Sequence, residues 1–132
     1  MTERCVLLPD RVIDSEAGRV LRGHAVVVED DRIVDLAPVA DAPSSQDART
    51  IDLAGHTLLA GLSDMHAHLV GLEDSGQGYA SLVTRSGAQE ALGGVKNART
   101  TLHAGFTSVR DIGTFRAFVD VALRYAIEAG WV

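Results

Sequence analysis

Short runs of alternating apolar and polar residues fill the first 58 residues, and this period of two predicts β-strands. The predicted strands are residues 5–8, 12–14, 25–29, 32–37 and 50–53. Glycines, prolines and the polar stretch 41–49 separate them and predict turns and one exposed loop. The first part of the chain, residues 1–58, is therefore predicted to be a small all-β module.

The hydrophobic period changes after residue 58. Residues 62–69 and 106–109 have the pattern of buried strands, whereas apolar residues recur at helical spacing over 79–104 and 115–129. This order of strand, helix, strand and helix predicts a parallel βαβα unit with a right-handed crossover. The adjacent glycines at 93 and 94 either weaken the first helix or mark close packing against a neighbour.

Composition narrows the class of protein. A chain of 132 residues with 46% hydrophobic residues can bury a substantial core. A net charge of -6 and a single lysine, Lys96, argue against a nucleic-acid partner, and no apolar run approaches the ~18 residues that a membrane helix needs. The lone Cys5 excludes an intrachain disulfide and a thiolate zinc cluster, and the start lacks a signal segment. We expect a soluble, cytoplasmic protein with a small-molecule substrate.

The candidate chemistry lies in the segment GLSDMHAH, residues 61–68, at the end of the first predicted strand of the second part. Because side chains alternate along a strand, Asp64, His66 and His68 are predicted to point to the same face. Two imidazoles two residues apart can share one metal ion, and a nearby carboxylate can orient a ligand. The carboxyl ends of parallel strands commonly carry active-site groups. From the spacing alone, two structural or loop histidines are the alternative.

Two segments resemble passages of one known protein family. The sequence IDLAGHTLLAGLSDMHAHL, residues 51–69, is similar to the family passage that leads from a β-sandwich domain into a TIM barrel. The sequence NARTTLHAGFTSVRDIG, residues 97–113, resembles the helix 1 to strand 2 passage of members related to imidazolonepropionase and Xaa-Pro dipeptidase. Together the two segments resemble the metal-dependent amidohydrolase superfamily. The resemblance implies an α/β chain in which residues 1–58 are part of a β-sandwich and residues 59–132 are the first βαβα units of an incomplete TIM barrel.

The resemblance also implies roles for individual residues. His66 and His68 would be metal ligands, with Zn²⁺ the usual ion and one or two divalent ions in the intact protein. Asp64 would lie behind them and orient a ligand. Two departures from the family pattern, Ala60 in place of Pro and Ser63 in place of an apolar residue, leave these ligands in place.

Arg110 and Asp111 end the strand predicted from residue 106, on opposite faces. One of the two could line the mouth of a pocket and contact the substrate. The alternative is a solvated pair in which the carboxylate caps the next helix, because aspartate is a favoured capping residue.

A TIM barrel has eight strands, and this sequence contains two of them. The resemblance implies that later strands supply the remaining metal ligands and the aspartate that handles the water proton, so no catalytic residue is expected within this chain. We expect the N-terminal part of an enzyme that hydrolyses amide or other C–N bonds of dipeptides, N-acyl amino acids or cyclic amides with metal-activated water. The alternative is a truncated, non-catalytic module for binding or assembly. Open sheet edges predict self-association or a homo-oligomer.

Overall fold

Strand pairing organises the first of the two units into which the chain divides, Met1–Ala60 and Gly61–Val132. The computed structural model describes residues 3–71 and 80–132. In the described part of the first unit the strands form one five-stranded sheet. They are β1 (Arg4–Asp14), β2 (Arg19–Arg22), β3 (His24–Glu29), β4 (Arg32–Pro38) and β5 (Arg49–Leu58), with a 3₁₀ turn at Val39–Asp41.

β1 is the strand around which this sheet is built. Its first residues pair antiparallel with β3, its last residues pair antiparallel with β2, and β5 runs parallel to most of its length. The two strands predicted at 5–8 and 12–14 are therefore one strand. Pro9 fits within it because the register with β5 shifts between Pro9 and Arg11, where a residue without an N–H is tolerated. Val6, Ala25 and Val27 form the buried core of the sheet.

β2 is a strand that the hydrophobic pattern does not predict, because its four residues are mostly exposed and place two apolar residues side by side between arginines. The turn before it is closed by Asp14, whose carboxylate accepts hydrogen bonds from the backbone N–H of Ala17 at 3.0 Å and from Arg19 Nε at 3.1 Å. These two hydrogen bonds, the backbone one first, hold the pKa of Asp14 below its usual value. The β1–β2 hairpin thus rests on a local polar interaction.

The second unit has the predicted order of elements and makes the chain a mixed α/β protein. Its strands β6 and β7 pair in parallel, with Leu62 opposite Phe106 and Ala67 opposite Asp111. Within the described residues, no helix is long and apolar enough to cross a bilayer. The elements are β6 (Leu62–Ala67), α1 (Ala80–Thr84), α2 (Gly87–His103), β7 (Phe106–Asp111) and α3 (Val119–Glu128).

The single helix predicted over 79–104 is wrong: two helices occupy this range, and Tyr79 lies outside the described residues. The helical conformation is interrupted at Ser86, which is the N-cap of α2. The Ser86 hydroxyl accepts a hydrogen bond from the backbone N–H of Gln89 at 3.3 Å, and the backbone N–H of Ser86 donates to Gln89 Oε1 at 2.8 Å. This reciprocal pair is a capping box, which starts a new helix where the hydrophobic period alone continues the old one.

The helix predicted from residue 115 begins only at Val119. Phe115, predicted on its apolar face, is 61% exposed. Arg116 explains the difference, because its guanidinium pairs with Glu90 at 3.2 Å and donates to the carbonyl oxygens of Leu82 and Arg85 at 3.3 and 2.6 Å. These bonds tie the segment before α3 to the α1–α2 region in a non-helical conformation.

Gly94 marks close packing of α2 against its neighbours, the second of the two readings of the glycine pair. A Cβ at this position would lie 2.9 Å from Leu123 Cδ2 of α3 and 2.9 Å from Val70 Cγ2. Leu123 and Val70 are 4% and 2% exposed, so neither can move aside easily. The absence of a side chain at Gly94 therefore lets these groups approach α2.

We expect Gly94→Ala to lower the free energy of unfolding by about 1–3 kcal/mol, because the added methyl group overpacks a buried contact. Gly87→Ala is the matched control in the same helix, since its Cβ would meet Val119 Cγ2 at 3.6 Å, an ordinary contact. Urea unfolding of the full-length protein measures both. Equal stability of the two variants would show that the α2 contact is not tight.

Candidate functional site

The parallel pairing of β6 and β7 places their carboxyl ends side by side. Ala67 is the register partner of Asp111, and the N–H of Ile112 donates to the carbonyl oxygen of Ala67 at 3.1 Å. The segments 68–71 and 112–114 follow these strand ends directly. Residues from two distant parts of the sequence therefore meet at this edge, which is where α/β folds commonly place functional groups.

His66 and His68 lie close together at this edge. Their ring centroids are 5.8 Å apart and the ring planes meet at 76°. Both side chains are exposed, while Ala67 between them is buried. His66 belongs to β6, but His68 lies just beyond the strand, which ends two residues earlier than the predicted range. Histidine nitrogens bind zinc at about 2.0–2.1 Å, so imidazoles at this separation can both reach one ion.

A hydrogen bond fixes the orientation of the His68 ring. Its Nδ1 lies 2.9 Å from the carbonyl oxygen of Gly113. Because a carbonyl only accepts, Nδ1 carries the proton and the neutral ring has its free lone pair on Nε2. Gly113 has a φ of +122°, a conformation that favours glycine. The acceptor for His68 thus depends on a residue without a Cβ.

The carboxylate of Asp64 is bound to the backbone of the histidine segment. Its Oδ1 accepts the N–H of His66 at 3.0 Å, an interaction with the peptide group rather than the ring. Asp64 is half-buried and belongs to the same strand. The structure places it next to the predicted ligands, and its orienting role toward them stays a prediction.

Asp111 uses both carboxylate oxygens for backbone groups near His68. Oδ2 accepts the N–H of Leu69 at 2.9 Å and Oδ1 accepts the N–H of Gly113 at 3.0 Å. Asp111 does not cap the next helix, whose N-cap is Phe118 without a side-chain cap. The carboxylate therefore joins the two strand ends.

Arg110 is exposed and lies on the face of β7 opposite to Asp111. It borders a hollow of about 400 Å³ that includes Asp111 and several residues of α3. His66 and His68 do not line this hollow. The roles of Arg110 and Asp111 toward a substrate stay predictions.

Two histidines supply only part of a metal site. Catalytic zinc sites use three protein ligands and a water. In the part of the chain that the structure describes, no group of three or more His, Cys, Asp or Glu side chains is placed to hold an ion. The donor chemistry of His66 and His68 fits a divalent ion, and the pair requires further ligands to complete the coordination.

Asn97 is a residue of this region that the sequence patterns did not single out. It lies on α2, and its Nδ2 donates to the carbonyl oxygen of Leu69 at 2.9 Å. The available signal was an asparagine inside a predicted helix, since asparagine is a weak helix former and its side chain competes with the backbone for hydrogen bonds.

Both the sequence and the fold of this chain are similar to those of known proteins. Residues 16–58 match the family described as NagA composite domain. Over 120 residues the chain is 37% identical to an imidazolonepropionase of Mycolicibacterium smegmatis, covering 91% of this chain and 27% of that protein. A crystal structure of a Xaa-Pro dipeptidase with bound methionine in the active site is similar at TM-score 0.83 and 27% identity, over 98% of this chain and 31% of that chain.

A prolidase complexed with N-methylphosphonate-L-proline gives a similar result. Its TM-score is 0.78 and its identity 32%, over 98% of this chain and 29% of that chain. The chain thus spans less than a third of the length of each of these relatives. These similarities support an N-terminal portion of the amidohydrolase superfamily, and the resemblance predicted from the two sequence motifs is confirmed.

We expect the neutral His68 ring to be protonated on Nδ1, because Gly113 supplies an acceptor there. Long-range ¹⁵N–¹H spectra of the metal-free, full-length protein at alkaline pH distinguish the two tautomers. A His68→Gln variant identifies the resonance by its disappearance. A ring protonated on Nε2 would contradict the assigned hydrogen bond.

Proposed function

We propose that the protein containing this chain is an amidohydrolase that cleaves an amide or other C–N bond. The observation that carries the proposal is the His66 and His68 pair at the carboxyl end of β6, with the His68 ring oriented by a backbone carbonyl. Relatives named imidazolonepropionase, Xaa-Pro dipeptidase and prolidase support this reaction class. The activity is proposed for the whole protein.

In this proposal, residues 59–132 form the first βαβα units of a TIM barrel, and residues 1–58 form part of a β-sandwich domain. Within the described residues the second sheet contains only β6 and β7, so each has an edge available for a further strand. Large apolar side chains of this unit are solvent-exposed, among them Met65, Leu102 and Trp131 at 60, 56 and 80%. Additional barrel strands and helices would cover such surfaces.

His66 and His68 would hold a divalent metal ion, with zinc the ion we favour. When bound, such an ion supplies an activated water and polarises the scissile carbonyl. The residues of this chain orient the ligands: Gly113 keeps the proton on His68 Nδ1 and leaves Nε2 unprotonated, while Asp64 holds the backbone at His66. The remaining ligands and the group that transfers the water proton are proposed to come from other parts of the protein.

Arg110 is the residue we propose to face the substrate. Ala67 is buried and its register partner Asp111 is half-buried, whereas the residues just before them, His66 and Arg110, are both exposed. A guanidinium there suits a substrate with a carboxylate, such as a dipeptide, an N-acyl amino acid or a cyclic amide bearing an acid group. Asp111 suits this role less well because backbone amides occupy both of its oxygens.

We also propose that the protein forms homo-oligomers and that it works in the cytoplasm, with a small molecule as substrate. Open strand edges and exposed apolar residues in both units support association between chains. A lone, half-buried cysteine, Cys5, is consistent with a reducing compartment.

The double variant His66→Ala/His68→Ala tests the function. We expect the full-length variant to lose at least one bound divalent ion per chain and its hydrolysis of a panel of dipeptides, N-acyl amino acids and cyclic amides. His103→Ala is the matched control, because this histidine is exposed at the end of α2. Elemental analysis and turnover measure both. Unchanged metal content in the double variant would refute the metal site, and a metal-free, inactive wild type would favour a non-catalytic binding module.

We expect the 132-residue chain, made alone, to show no turnover of the same panel even with excess Zn²⁺. Two ligands leave the ion largely to solvent, and a positioned acid-base group is worth about 10²–10⁴ in rate. The isolated chain should also associate on a size-exclusion column, because its strand edges are open. Zinc-dependent turnover that disappears with His66→Ala would contradict this expectation.

A further inference from the structure

The residue directly after His68 is held at both of its backbone polar groups. The N–H of Leu69 donates to Asp111 Oδ2 at 2.9 Å, and its carbonyl oxygen accepts from Asn97 Nδ2 at 2.9 Å. The two side chains come from different elements, β7 and α2. Both hydrogen bonds are partly buried, so water competes with them less than at an exposed site.

The same carboxylate also controls the acceptor of the His68 ring. Asp111 Oδ1 accepts the N–H of Gly113 at 3.0 Å, and the carbonyl oxygen of Gly113 bonds to His68 Nδ1 at 2.9 Å. These hydrogen bonds form a closed network, which runs from the His68 imidazole through Gly113 and Asp111 to Leu69 and back along the backbone to His68. The network fixes both the imidazole and the backbone of His68.

We propose that Asn97 and Asp111 are positioning residues that set the orientation of His68 before a metal ion binds. This inference rests on the proposed function, in which His66 and His68 hold a divalent ion. His68 lies outside β6, and among the described residues no strand pairs with it. Side chains that already hold a metal ligand in place reduce the conformational entropy that the ligand loses when the ion binds. The loss of such side chains weakens metal binding by about 10–100-fold.

Two conservative variants separate positioning from bulk stability. Asp111→Asn keeps the shape but has a single acceptor oxygen for two N–H groups, and Asn97→Asp removes the donor to the Leu69 carbonyl. Thr100→Val is the matched control, because it removes the 3.1 Å hydrogen bond that the Thr100 hydroxyl donates to the carbonyl oxygen of Lys96 within the same helix, away from Leu69.

The test is a zinc titration of the metal-free, full-length protein in competition with a chelator. We expect Asp111→Asn and Asn97→Asp each to weaken zinc binding by about 10–100-fold, with the Thr100→Val affinity unchanged. Thermal unfolding verifies that each variant is folded. If Asp111→Asn does not fold, Asn97→Ser carries the test, since it only shortens the donor. Wild-type affinity in both folded variants would overturn the proposal.

A second readout separates this inference from the proposed function. In the metal-free protein, the ¹⁵N resonances of the His68 ring report its tautomer and its bond to Gly113 without any metal. We expect Asp111→Asn and Asn97→Asp to shift these resonances toward a mixture of tautomers, and Thr100→Val to leave them in place. If the wild type binds no zinc, the proposed function fails while shifted resonances still support positioning. Unshifted resonances in the Asp111→Asn and Asn97→Asp variants would overturn the positioning role.

Discussion

The parallel pairing of β6 with β7 is the constraint on which the second unit depends. Parallel strands need a long crossover connection between them, and α2 lies within that connection. The pairing places Ala67 opposite Asp111, so a carboxylate at the end of one strand reaches the backbone that continues from the other. The His68 ring bonds to a residue 45 positions away in the sequence, a contact that exists only because the strands are in this register.

An ion pair between buried Glu90 and half-buried Arg116 performs a similar organising task beside α2. Glu90 is 2% exposed, and within the part of the chain that the structure describes its Oε2 has no hydrogen-bond partner, so Arg116 provides its main compensation. Burying the Glu90 carboxylate costs desolvation energy, and ion pairs of this kind often add little net stability, although removing the partner of a buried charge is strongly destabilising. We attribute to the pair a role in specifying structure, because Arg116 also holds the carbonyl oxygens of Leu82 and Arg85.

Sequence reasoning predicted the features that depend on residues close together in the sequence. The change of hydrophobic period predicted the order of strands and helices. Alternation predicted Asp64 and His66 on one strand face, but it does not include the register shift that the structure has between Asp64 and Ala67. The capping box at Ser86 is local as well, since Ser and Gln stand three residues apart, but the hydrophobic period continues across it and does not reveal the break. The bonds from Asn97 to Leu69 and from His68 to Gly113 depend on tertiary register, which no single segment encodes.

The central position of β1 also determines when the first sheet can be completed. β3 and β4 are joined by a tight turn and can pair as soon as both exist, whereas Cys5 of β1 pairs with Arg49 of β5, more than forty residues later. At a synthesis rate of roughly 5–20 residues per second, β5 is made about 2–9 seconds after β1, and during that time one edge of β1 lacks its partner strand. Pairing between distant segments is also intrinsically slow. The nascent chain therefore presents an unfilled edge, and the charged residues Asp10 and Arg11 within β1 oppose its pairing with other chains during that interval.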